Sequence, residues 1–217
     1  PDAFEAAIHD LTRPVNAQYP RPWMTAWPDP LRTRVFIVGA NQAKGYDQTK
    51  VTHQQHLDAL FSRHGQTCRG LYDALTDAPS KTRPNIDALT ARLAARGVRD
   101  VLETNVVCYS TPMSPALRQV SHQVGAEAGA ELFQFLVGAI RPAVLIAHGR
   151  GTHKKLASVL GLRALPPSAA VPDAPVAVTT LRGAWTPLVI CIGALSPPAW
   201  NAWMRWAPAH LYQVAYI

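Results

Sequence analysis

Two side-chain amides carry the first chemical signal in this chain. Asn41 follows the apolar run Arg34-Val35-Phe36-Ile37-Val38-Gly39-Ala40, and Asn105 sits inside Asp100-Val101-Leu102-Glu103-Thr104-Asn105-Val106-Val107. A carboxamide presents a donor and an acceptor side by side, which matches the edge of a pyrimidine, and its carbonyl can orient a water molecule. Either Asn taken alone also suits a helix cap or a loop tie. Around them the sequence offers His148-Gly149-Arg150-Gly151-Thr152, Ser110-Thr111-Pro112 and Gly193-Ala194-Leu195-Ser196-Pro197. These stretches are rich in amides, hydroxyls and glycines and poor in carboxylates. A pair of acids for ordinary glycoside hydrolysis is therefore missing. No Gly-x-Ser-x-Gly elbow occurs, Ser196 precedes two prolines, and there is no P-loop. The Gly149-x-Gly151 pair lacks the third glycine of a dinucleotide fingerprint.

The elements that must position these residues follow from periodicity. Four apolar, β-branched segments read as buried strands: 34–40, 100–107, 143–148 and 187–193. Between them lie a helical pattern over 51–75 broken near Gly65, a helix over 85–96 with Asn85 as N-cap and Gly97 as its stop, a long amphipathic helix over about 116–140, and a helix from Thr152. Val176 to Thr180 suits an edge strand, Trp200 to Trp206 a short helix, and 212–217 a last apolar segment. Alternating strands and helices predict a three-layer α/β/α fold with a central, mainly parallel four-stranded sheet. No repeat or composition break divides the chain, so 1–217 reads as one domain. Residues 1–30 hold a short helix, Phe4 to Leu11, and then a proline-rich run (Pro14, Pro20, Pro22, Pro28, Pro30), and are expected to wrap the surface in extended form. In such sheets a ligand sits beyond the carboxyl ends of the strands. That rule selects the loops after Val38, Val107, Ala147 and Ile192, which hold the residues named above.

Composition bounds the partner. The 217 residues carry 21 Lys and Arg against 14 Asp and Glu, a net charge of +7, and the sequence pI is about 9.7. Such a surplus favours a polyanion, although GC-rich coding also enriches Arg. The cations are scattered, which argues against a disordered basic arm. With 48% hydrophobic and 16% charged residues, the chain is not intrinsically disordered. No run reaches the roughly 18 apolar residues of a spanning helix, and the first residues do not read as a secretory signal. Cys68, Cys108 and Cys191 are odd in number and far apart, so they form neither a disulfide framework nor a four-thiolate site, and a reducing cytoplasm is expected. His53 and His56 stand at i, i+3, but no carboxylate pattern completes a metal site; a surface or DNA-facing pair is expected. No motif calls for a cofactor or a metal.

Taken in order, the motifs from Arg34 to about Asn201 resemble those of the uracil-DNA glycosylase superfamily. Val38-Gly39-Ala40-Asn41 is similar to the Asn-bearing form of its first signature. Glu103-Thr104-Asn105-Val106-Val107 resembles the strand whose Asn reads the uracil edge. The stretch from Arg141 to Gly149 is similar to its third strand, and Ala194-Leu195-Ser196-Pro197 falls on its final His-Pro-Ser-Pro. Three departures stand out. Ala194 replaces the His that faces the uracil O2, Gln42 replaces the usual Pro, and the base-stacking aromatic has three candidates in Tyr46, Phe61 and Tyr72. The family's four-cysteine cluster pattern is missing, so no iron–sulfur cluster is expected.

The resemblance implies a glycosylase that hydrolyses the N-glycosidic bond of uracil or a related deaminated base in DNA, acting as a monomer with neither cofactor nor membrane. Asn41 is then the water-positioning residue, Asn105 the base reader, and Gly39, Ala40 and Tyr46 further base contacts. His148 either supplies the missing donor or is a structural histidine. Ser196, Pro197, Ser110 and Thr111 face DNA phosphates, with Lys44, Arg150, Lys154 and Lys155 as cations near the strand ends. Trp200 is either a wedge into the base stack or a core residue with Trp203 and Trp206. Two rival readings stay open: a damage-binding member with little or no turnover, which Ala194 favours, and a small-molecule hydrolase on a similar sheet.

Overall fold

A computed structural model describes residues 3–112, 114–165, 177–180, 185–197 and 201. In chain order the elements are α1 (Ala3–Leu11), β1 (Gln18–Tyr19), β2 (Val35–Gln42), β3 (Tyr46–Asp47), α2 (His53–Leu60), α3 (Cys68–Leu75), α4 (Arg83–Ala95), β4 (Val101–Ser110), α5 (Gln123–Ile140), β5 (Val144–His148), α6 (Arg150–Val159), β6 (Ala177–Thr180) and β7 (Leu188–Ile192). The main sheet runs β4-β2-β5-β7-β6. Its first four strands are mutually parallel, and β6 pairs antiparallel with β7 at the edge. These are the four buried strands and the edge strand that the apolar runs call for, in a three-layer α/β/α arrangement.

Each of the four parallel strands buries both faces. On one, Phe36, Val38, Leu102, Leu145 and Val189 meet Leu132, Phe133 and Leu136 of α5 and Leu156 of α6. On the other, Ile37, Ile146 and Ile190 pack against Leu89 and Leu93 of α4. The outer edge of β4 is covered by the proline-rich segment before β2. Met24 and Glu103 exchange both backbone bonds at 2.9 Å, Arg21 N–H donates to Cys108 O at 3.2 Å, and Thr104 Oγ1 donates to Pro22 O at 2.7 Å. An extended strap thus closes an edge that would otherwise be open to pairing.

The starts of α5 and α4 differ from the periodicity. The segment before α5 folds into two short 3₁₀ turns, Ser114–Arg118 and Val120–His122, because extended Gln119 interrupts the helical path, and α5 begins at Gln123. Helix α4 starts at Arg83 with a proline in its first turn, where the missing N–H is no loss. Asn85 is therefore no cap: its Nδ2 donates to Leu195 O at 2.7 Å, tying α4 to the loop after β7. The stretches 202–206 and 212–217, expected as a helix and an apolar segment, lie outside the described residues, as does Trp200.

Candidate functional site

The strand order fixes where a ligand can sit. From β2 the chain crosses to β4 on one side and later to β5 on the other, so the connections diverge at the carboxyl ends of β2 and β5. Such a switch point opens a crevice in doubly wound sheets. A cleft of about 620 Å³ lies there, bordered by the ends of β2, β4, β5 and β7, by the strap, and by the segment entering α4.

Its floor is one row of three residues. Gly39 is in register with Asn105 on β4, and His148 on β5 follows the last register pair, Val38 with Ala147. A Cβ placed on Gly39 would lie 2.5 Å from Asn105 Oδ1 and 3.0 Å from His148 Nε2. Only glycine leaves room for both polar ends over β2. Both side chains are half-buried. Among the described residues, neither the Asn105 amide nor the His148 ring has a hydrogen-bond partner in the protein. Burial, with a smaller push from His153, lowers the His148 pKa to about 4; the imidazole is neutral at pH 7. His153 is itself buried, with Nε2 2.9 Å from Ala147 O.

Asn41 stands one alternation beyond Gly39 on β2. Its Nδ2 donates to Thr111 Oγ1 at 2.8 Å and to Gln42 O at 3.1 Å. Both N–H groups are thereby engaged. Thr111 is buried and also borders the cleft.

The wall toward α4 holds a buried ion pair. Arg83 Nη2 donates to Glu103 Oε1 at 2.7 Å, with Nη1 2.6 Å from Oε2. Burial pushes the Glu103 carboxyl up, and Arg83 opposes that shift. The pair continues outward: Arg83 Nε lies 2.9 Å from Asp87, which is 2.8 Å from Arg69, which is 2.8 Å from Asp73. A line of alternating charge therefore pins α3 and α4 to β4 beside Asn105. The strap wall holds Arg21, whose guanidinium carbon is 5.0 Å from the Tyr46 ring centroid and 5.3 Å from that of Tyr72. Tyr72 is held in turn by a bond from Ser80 N to its hydroxyl at 2.8 Å.

Past β5 the chain turns at Gly149, with φ of 85°, and Gly149 N–H donates to Ile192 O at 3.0 Å. Helix α6 starts at Arg150 without a side-chain cap, and Arg150 and Thr152 border the cleft together with Ala194, Leu195 and Ser196. Farther out, Arg118 is close enough to Lys155 to lower its pKa, with burial as the larger cause. Among the described residues no carboxylate pairs with Arg118, Arg150, Lys154 or Lys155.

The structure thus brings Asn41, Ala40, Asn105, His148, Thr111, Arg150 and Ser196 to one cleft, with Gly39 beneath it. The other expected residues among those described stand elsewhere. Tyr46 is 2% exposed and lies behind Arg21, edge-on to His56; of the three aromatic candidates, Tyr72 is the one on the cleft wall. Ser110 is buried, its backbone held by Gln18. Lys44 is half-buried off the cleft wall, and Lys154 is exposed on α6. Pro197 is half-buried just past Ser196. The His53–His56 pair is not a surface pair. His56 is fully buried, its pKa pushed to about 3 by burial, while His53 stacks on Tyr19 and meets Thr12 Oγ1 at 2.9 Å.

Arg21, Arg83 and Glu103 were not singled out by their types or spacing. The available signal was Glu103, an acid two residues before Asn105 in an otherwise apolar strand. Neither a protein-family model nor a curated protein matches the chain. Among the described residues no helix is long and apolar enough to cross a membrane.

Proposed function

We propose that the protein is a DNA glycosylase that hydrolyses the N-glycosidic bond of uracil or a related deaminated base. The observation that carries this reading is the pair of unpartnered polar side chains, Asn105 and His148, converging over Gly39 at the switch point. Polar groups inside a protein are ordinarily satisfied; these two open on a cleft, and their donor–acceptor pattern suits the edge of a planar base.

A base rotated out of the helix enters the cleft. Asn105 makes paired bonds to its Watson–Crick edge. Neutral His148 donates an N–H to a base carbonyl, where negative charge develops as the bond breaks. The carbonyl of Asn41, aimed by the bonds its amide makes to Thr111 and Gln42, holds a water behind C1′. That water adds hydroxide to C1′ and releases a proton, while the bonding pair leaves with the base. The unpaired cations Arg118, Arg150 and Lys155 support a DNA partner by meeting phosphates beside the cleft. Three buried free cysteines, with thiols pushed up to about 11, fit a reducing cytoplasm, and the protein acts there as a monomer without a cofactor.

Single-turnover excision from uracil-containing oligonucleotides tests the reading, with Asn41→Ala beside the wild type. Excision by the wild type that falls on substitution supports it; undiminished cleavage by Asn41→Ala removes the water-positioning role. Ala194, with no donor on the loop after β7, favours a second reading of damage binding with little turnover. Salt-sensitive binding without cleavage would select that one.

A further inference from the structure

The charges bordering the cleft do not cancel. Arg83 is neutralised by Glu103 at 2.6 Å, His148 is neutral, and Arg150 is exposed at the mouth. Arg21 remains. Among the described residues no carboxylate lies within 4 Å of its guanidinium, and its Nη1 is buried with no hydrogen-bond partner. Two tyrosine rings hold the group in place, and ring faces attract a cation without cancelling its charge. The backbone is anchored as firmly: Arg21 N–H bonds Cys108 O on β4, and Gln42 Nε2 at the end of β2 donates to Arg21 O. A partly buried, rigidly placed cation with no carboxylate within salt-bridge distance is costly for a folded chain, and Arg21 borders the cleft.

We propose that Arg21 receives the negative charge of the departing base. This rests on the glycosylase reading. When the C1′–N bond breaks, its electron pair goes to the base, which leaves as an anion beside the guanidinium; water supplies the hydroxyl to C1′ and its proton goes to solvent. A fixed cation stabilises that anion more than the neutral bound base, which is the condition for speeding the chemical step. The phosphate-facing cations lie at the mouth of the cleft, so the interior charge is left for the base.

The test compares wild type, Arg21→Lys and Arg21→Met in single-turnover excision of uracil and of 5-fluorouracil from otherwise identical oligonucleotides, with thermal unfolding of each protein. The fluorine makes the base a more stable anion. Arg21→Met is expected to lose roughly 10²–10³-fold on uracil, distinctly less on 5-fluorouracil, and no thermal stability, with Arg21→Lys in between. Equal losses on both bases, or no loss, overturn the proposal while leaving the glycosylase reading intact. Absence of excision of either base by the wild type overturns both.

Discussion

Asn105 and His148 come from strands that are not neighbours, and they meet over the strand between them because residue 39 has no side chain. The ends of the two side chains stand 2.5 Å and 3.0 Å from the place a Cβ would take. The relationship needs a glycine at that position on β2 and the in-register pairing of three parallel strands.

Gly39→Ala is the substitution most specific to this geometry. The added methyl meets flexible side-chain ends rather than backbone, so the fold adjusts by moving Asn105 and His148. We expect base excision to fall at least tenfold while unfolding free energy changes by about 1 kcal/mol or less. Excision kinetics and denaturant titration on the same sample decide the matter. A large stability loss with matching activity loss would mean the row is a packing feature.

The histidines set an acid limit. Burial lowers His148 to about 4 and His56 to about 3, from an ordinary value near 6.5. The unfolded chain therefore binds more protons than the folded one once pH falls below about 6.5, so their stability contribution is complete above that pH and is lost as pH drops toward 4 and below. Thermal unfolding should show a midpoint falling across that window, and His56→Phe should flatten the fall. Excision that depends on neutral His148 should hold level from pH 8 to about 5. A drop centred near 6.5 would contradict a neutral role.

Removing Arg83 strands a buried carboxylate. Arg83→Met is expected to cost about 3–5 kcal/mol, as breaking buried pairs does, whereas Arg83→Met with Glu103→Gln should recover most of it. A double-mutant cycle by chemical denaturation measures the coupling. Independent, additive losses would show that the pair does not act as a unit.

The fold was legible because each of the four parallel strands is an unbroken apolar run bounded by turns, and the runs alternate with helical periodicity. The candidate site was legible where it rests on local composition: Gly39, Asn41, Asn105 and His148 all fall in or at the end of the apolar runs that form the parallel strands. It was not legible where it depends on long-range packing. Arg21 reaches the cleft only because the proline-rich strap lies along β4, and Arg83 meets Glu103 only through the docking of α4. Tyr46 shows the converse error. Its place near the first signature suggested the cleft, but its pairing through β3 with β1 puts the ring behind Arg21.

The cations beside the cleft make a separate prediction about DNA affinity. Arg118 and Lys155 lie close together without an acid between them, an arrangement a phosphate would relieve. Replacing either by Ala should reduce the slope of log K against log salt by about 0.7 for single-stranded DNA and about 0.9 for duplex. Equilibrium binding at several salt concentrations checks it; an unchanged slope would place the phosphates elsewhere.

The central claim is that Asn105 reads the edge of a base that the protein then removes. The most direct measurement is single-turnover excision of uracil from a defined oligonucleotide by wild type and by Asn105→Ala, with folding of both confirmed by thermal unfolding. The account predicts excision by the wild type and a loss of at least roughly 10²-fold in the variant, since the substitution removes both paired bonds to the base. Equal rates for the two proteins, or no release of base by the wild type, would contradict it.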